Sequence, residues 1–205
     1  MEDLLDLYAV RYDPARPVVC FDEQSKQLVA ETRTPLPMAP GHPECFDYEY
    51  QRRGTANLFL TVEPLGGWRH VEVTAQRTKH DFAQQMRALV DQHFPDAEVV
   101  RIVLDNLNTH TPAALYEAFP APEARRILRR LELHYTPVHG SWLNMAELEL
   151  SMLTRQCLGR RIPDRVTLAT EIAGWETARN EQRATIHWGF TIDHARTKLK
   201  RLYPS

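Results

Sequence analysis

The sequence predicts an α/β domain on a mixed five-stranded sheet. Three observations lead there. Three β-type runs follow one another before residue 75. Two further apolar runs then alternate with segments of helical period. No hydrophobic break divides the chain, so residues 1–205 are expected to form a single domain.

Residues 1–16 read as a short helix followed by a Pro-bearing lead-in. Pro17 to Phe21 (PVVCF) is apolar, largely β-branched, and stops at Asp22-Glu23, which predicts a buried strand. Residues 31–54 are rich in Pro, Gly and charge and predict a long irregular connection. Ala56 to Val62 is the second strand, Pro64 to Gly67 a turn, and Trp68 to Thr74 an alternating third strand, together an antiparallel meander. From Thr78 to Phe94 the period turns helical, with Phe82, Met86, Leu89, Val90 and Phe94 on one face. Val99 to Leu104 (VVRIVL) is a buried strand ending in Asp105-Asn106. Short helices over Thr111–Phe119 and Pro122–Leu131 each carry Pro near the start. Leu131 to Tyr135 is the fifth strand; helices over Trp142–Leu158, Val166–Gln182 and His187–Leu202 complete the chain. The ribonuclease-H-like fold has this order of elements.

Composition is that of a soluble globular protein: 205 residues, 43% hydrophobic and 25% charged. No run approaches the roughly eighteen apolar residues of a membrane span, and the acidic N-terminus is no signal peptide. Cys20, Cys45 and Cys157 are odd in number and dispersed, which argues against disulfides and fits small buried hydrophobes in a reducing cytoplasm. The net charge of −2 hides an asymmetry. Residues 1–100 carry 10 Lys/Arg against 16 Asp/Glu, and residues 101–205 carry 15 against 11. The second half, rich in Arg125, Arg126, Arg129, Arg130, Arg155, Arg160, Arg161 and Arg165, could present a basic face to phosphate.

Two predicted strands end in an acid, Asp22 and Asp105. Ligands of α/β sheets collect outside strand ends, and a buried Asp there needs a compensating cation, cap or arginine. A third carboxylate from a helix would complete an oxygen site for Mg²⁺. Glu147 and Glu149 are the candidates. Leu143, Ala146, Leu150, Leu153 and Cys157 form one stripe, with Glu147 at its edge and Asn144 beside it at i, i+3. Glu149 points away from the stripe, as a surface acid would; periodicity alone prefers Glu147 without deciding.

Taken together, Phe21-Asp22-Glu23, Val103 to His110 (VLDNLNTH), His134 to Pro137 (HYTP) and Ser141 to Glu147 (SWLNMAE) resemble a bacterial insertion-sequence transposase of the Tc/mariner-related, IS-six-thirty type with a DDE catalytic domain. The resemblance covers residues 17–203, and Asp105 and Glu147 stand 42 positions apart. It implies a catalytic, metal-binding triad of Asp22, Asp105 and Glu147, with Asn106, His110 and Asn144 in support. It implies two Mg²⁺ or Mn²⁺ ions, about 3.5–4 Å apart, that activate an attacking oxygen and steady a leaving one. The activity implied is cleavage and strand transfer of double-stranded DNA, at element ends and target, by a homo-oligomer. Sixteen residues before the first strand cannot hold the helix-turn-helix of such proteins, so the chain is expected to be a catalytic domain alone: a split product, whose separate helix-turn-helix polypeptide would read the ends, a truncation, or an inactive remnant. The competing readings are a related nuclease, or a catalytically idle transposase-derived DNA-binding or interaction protein.

Other signals are weaker. His134-x4-His139, with His110, is no familiar zinc set. Gly-x-Ser-x-Gly, P-loop and GxGxxG patterns are absent. Ser141 is the expected helix cap, Trp142 a packing residue, and Arg52-Arg53-Gly54 a loop able to touch DNA or a second subunit. Arginines of the second half, with the 31–54 loop, are expected to flank the acids.

Overall fold

A computed structural model describes residues 1–203. Its sheet has β1 (Val18–Glu31), β2 (Tyr50–Glu63), β3 (Trp68–Thr74), β4 (Val100–Leu104) and β5 (Leu131–Tyr135), in the order β3-β2-β1-β4-β5. β1 to β3 are antiparallel neighbours; β1, β4 and β5 run parallel. The connections dictate this. Residues 64–67 close a tight turn between β2 and β3, whereas β4 and β5 are each reached through helices, which return the chain to the same end of the sheet. Gly67 adopts φ +70°, and a Cβ there would meet the Arg183 backbone at 2.7 Å, so only glycine fits.

Helices cover both faces. On one side α1 (Glu2–Ala9), α5 (Met145–Leu153), α6 (Arg165–Glu181) and α7 (Ile192–Lys198) pack on Cys20, Leu58, Leu60 and Val103. On the other, α2 (Lys79–Ala88), α3 (Pro112–Ala118) and α4 (Ala121–Leu128) pack on Val19, Phe21, Phe59, Ile102 and Leu104. Strand residues thus alternate between two cores. Among the described residues no helix is long and apolar enough to cross a membrane.

Five expectations need correction. The 31–54 segment is not all loop: β1 runs to Glu31 and β2 starts at Tyr50, so only residues 32–49 connect them. Residues 50–55 are exposed on both faces, so this stretch of β2 carries no apolar alternation for periodicity to detect. Asp22 therefore lies within β1, not at its end. The helix expected from Trp142 begins at Met145, after a 3₁₀ turn over Ser141–Leu143, and its cap is Asn144 rather than Ser141. Residues 183–191 are irregular, and the final helix starts only at Ile192, capped by Thr191. Cys45 is exposed, unlike buried Cys20.

The fifth correction is the largest. Glu149 is 1% exposed. Its Oε1 lies 2.5 Å from Arg179 Nη2 on α6 and 3.6 Å from Arg69 Nη2 on β3. Arg69, fully buried, also donates to the carbonyls of Gly67, Arg179 and Ala184. α5 lies on β1 and β2 beside α6, which packs on β3, and it buries Met145 and Glu149 as well as the predicted stripe. Its cationic partners lie 80 and 30 positions away, beyond any helical period. Removing the acid would strand two guanidinium groups. Glu149→Gln is expected to cost about 3–5 kcal/mol in urea unfolding, and a loss under about 1 kcal/mol would show that the cluster is not coupled.

Candidate active site

The register of the parallel strands builds the site. β1 pairs with β4 as Val18↔Arg101, Val19↔Ile102 and Cys20↔Val103, and the pairing stops there. Two residues further on come Asp22, still within β1, and Asp105, the first residue beyond β4. Asp22, an even step from Cys20, belongs to the α5 face, and Asp105 opens the loop that leads to His110. Asn144 locks α5 to that point. Its side chain accepts from Ala146 N–H, capping the helix, and its Nδ2 donates to Phe21 O at 2.8 Å. The cap puts Glu147 in the first turn of α5, half-buried, over the same edge.

Asp22 feels both neighbours. Burial raises its carboxyl to about 6; the charges of Asp105 and Glu147 add to the rise, while the Glu23 N–H and His110 oppose it. Asp105 goes the other way. Burial would raise it, but the His110 hydrogen bond and charge bring it below the usual carboxylate range. The His110 Nδ1 to Asp105 Oδ1 distance is 2.6 Å, and the ring is fully buried. Burial disfavours its charged form, yet Asp105 and Glu23 together hold its pKa at about 9. Asn106 Nδ2 donates to Thr136 O, tying the loop after β4 to the end of β5.

Residues 17–169 match the sequence profile of the DDE superfamily endonucleases. The chain belongs to that family. No curated protein matches it. The DDE domain is similar in fold to the Mos1 mariner paired-end complex with Mn (19% identity, TM-score 0.59), covering 89% of this chain and 54% of that one. It is likewise similar to the Mos1 strand transfer complex (16% identity, TM-score 0.59), covering 89% of this chain and 53% of that one. This chain thus spans about half the length of those structures, and at these identities the likeness shows a shared ribonuclease-H-like fold.

All three predicted acids of the DDE domain thus come to one sheet edge, with Asn106, His110 and Asn144 around them. The donor set is all oxygen, which suits a hard divalent cation. The arrangement is open, however: among the described residues no three His, Cys, Asp or Glu side chains could hold a metal ion as they stand. Two neighbours escaped the sequence reading. Glu23 faces the α2 side, as strand alternation next to Asp22 would have indicated; Arg77, 3.4 Å from Glu23, had no local signal. The expected arginine flank is only partly realised. Arg126 is spent on Asp91 and Glu123, and Arg130 on the Phe94 and Pro95 carbonyls. Trp142 packs on Trp188 and Phe190, and His134 pairs with Asp3 and Glu132 rather than with His139.

Two outcomes follow. Asn144→Ala removes the cap and leaves the Phe21 carbonyl unpaired, an expected loss of about 1–3 kcal/mol in thermal unfolding. The Asp22 carboxyl is raised in the folded state, so ionisation there opposes folding above about pH 6, and the penalty fades as pH falls from 6 towards 4. In chelator, Asp22→Asn should therefore raise Tm at pH 7.5 and lose that advantage near pH 4.5. A gain that does not shrink with pH would refute the assignment.

Proposed function

We propose that this chain is a single catalytic domain of a transposase, cutting and joining double-stranded DNA by in-line phosphoryl transfer with Asp22, Asp105 and Glu147 as metal-binding catalytic residues. The observation that supports the reading is the parallel register of β1 and β4, with Asp22 and Asp105 each two residues past the last pair, together with Glu147 in the first turn of α5. Three carboxylates at one edge are costly without a cation. Mg²⁺ or Mn²⁺ suits their oxygen donors, and two ions suit a reaction with an attacking and a leaving oxygen. A bound cation of this kind neutralises phosphate charge and makes the attacking oxygen more nucleophilic.

The side chains have separate tasks in this reading. Asp22 and Asp105 come from the rigid sheet and fix the position of the centre. Glu147, half-buried on a helix turn, has the freedom to close over it. His110 keeps Asp105 ionised and oriented. Water serves as nucleophile for cutting, and a freed 3′-hydroxyl for joining. Three free thiols suit the cytoplasm. Assembly of copies is supported by the ribbon beyond the site, which exposes Leu36, Met38, Phe46 and Tyr48.

The decisive assay is Mg²⁺-dependent nicking of DNA carrying the element ends, with the helix-turn-helix partner supplied if nicking requires it. Asp22→Asn, Asp105→Asn and Glu147→Gln should each reduce the rate by several orders of magnitude while circular dichroism stays unchanged. A wild-type chain that binds DNA but never cuts it would favour the idle, DNA-binding reading. DNA affinity should also fall more than tenfold between about 50 and 200 mM salt, because phosphate contacts release counterions. A flat salt response would remove phosphate contact from the account.

A further inference from the structure

Glu23 has no task in the reading above, yet its side chain is only 4% exposed. A buried carboxylate needs compensation. Alternation along β1 sends Asp22 to the α5 face and Glu23 to the α2 face, beside Phe21 and Phe59. There Glu23 Oε2 lies 3.4 Å from His110 Nε2, and Oε1 lies 3.4 Å from Arg77 Nη1. The first contact has ion-pair distance but not hydrogen-bond alignment, and Nε2 has no other partner. The His110 ring is wedged between Phe21, edge-on at 5.5 Å, and Phe82, tilted at 4.8 Å. Its carbonyl accepts from the Tyr135 hydroxyl at 2.8 Å. Its Nδ1 meets Asp105 Oδ1 at 2.6 Å. The imidazole is therefore held by a carboxylate at each nitrogen, and turning it would break both contacts.

We propose that Glu23 and His110 form a positioning relay for Asp105. The relay holds one Asp105 oxygen and thereby aims the other towards the space shared with Asp22 and Glu147. The adjacent pair Asp22-Glu23 then serves both aspartates: Asp22 directly, as a ligand, and Asp105 from the opposite face of the strand, through the imidazole. Partners of this kind orient metal-binding groups, and their loss costs 10–100-fold in metal affinity or activity. A role in core packing alone would change stability without touching metal affinity. The inference rests on the DDE reading.

The test uses Mn²⁺ alone as probe, with affinity followed by the electron paramagnetic resonance of free Mn²⁺ and by the Mn²⁺-induced shift in Tm. His110→Phe keeps an aromatic ring against Phe21 and Phe82 and removes both polar contacts. Glu23→Gln keeps the shape and removes the charge. Each should weaken Mn²⁺ binding by about 10–100-fold. Each should also lower kcat more than it changes KM for DNA, with activity partly recovered at high Mn²⁺. The double variant should be no worse than His110→Phe, because both changes cut one path. Wild-type Mn²⁺ affinity in folded His110→Phe, or losses that simply add, would overturn the relay. Should His110→Phe fail to fold, unchanged affinity in Glu23→Gln overturns it alone. If Asp22→Asn and Glu147→Gln also keep full Mn²⁺ affinity, the DDE reading fails with it. If those two lose affinity and the relay variants do not, only the relay fails.

Discussion

Everything at the site depends on β1 outlasting β4. The ladder between them closes at Cys20 and Val103, but β1 continues to Glu31 against β2. Arg101 N–H bonds to Pro17 O, so alternate carbonyls of β1 face β4, and Phe21 O is the first of that series beyond the last paired residue. A carbonyl stranded in the core is costly. Asn144 satisfies it, and with the same side chain caps α5. The step in the sheet thus docks the helix that carries Glu147. It also leaves Asp22 with its backbone secured on the β2 side and its side chain in the gap.

Charge burial sets the remaining geometry of α5. Asn144 fixes its start, and the Arg69–Glu149–Arg179 cluster fixes it one turn later against β3 and α6. The cluster is imperfect, with Glu149 Oε2, Arg69 Nε and Arg179 Nε all unpartnered. A buried ion pair of this kind adds little over well-packed apolar side chains, but breaking it is expensive. Its consequence is angular: α5 cannot slide along or roll upon the sheet without separating charges in the core. The two acids of one helix, two residues apart, thereby divide the work, Glu149 anchoring the helix and Glu147 remaining free over the site.

The fold was legible wherever burial imposes a period. All five strands were found because the β1, β2 and β4 runs are largely apolar and the β3 and β5 runs alternate, and the α2 and α6 helices because each shows a one-sided face. What lies outside the core left no such trace. The outer end of β2 read as loop because residues 50–55 are exposed and carry no apolar period. The acids were picked out by strand-end position and motif, and Asp22 stands beyond the end of its parallel pairing rather than at the end of its strand. Glu149 was misread because an acid off the apolar stripe looks solvated unless its partners on β3 and α6 are known. Glu23 was within reach, since alternation beside Asp22 sends it to the opposite core. Arg77 was not.

If the site acts on DNA as proposed, its acids must still admit a polyanion, and the chain's net charge of −2 offers no general attraction. Attraction has to be local. Among the described residues, cations gather where the ribbon leaves the body. Lys26 bonds to the carbonyls of Leu158 and Arg160, and Arg161 pairs with Glu31 while facing the rings of Phe46 and Tyr50. These contacts stiffen the root of a two-stranded ribbon that would be marginal alone. They also place positive charge further along the strand that carries Asp22, with Lys26 on the same face and one turn of the pleat beyond Gln24. A phosphate backbone lying along β1 would meet these cations before it met the carboxylates. In the proposed reading, Lys26 on the strand that carries Asp22 would offset part of the repulsion of the carboxylates.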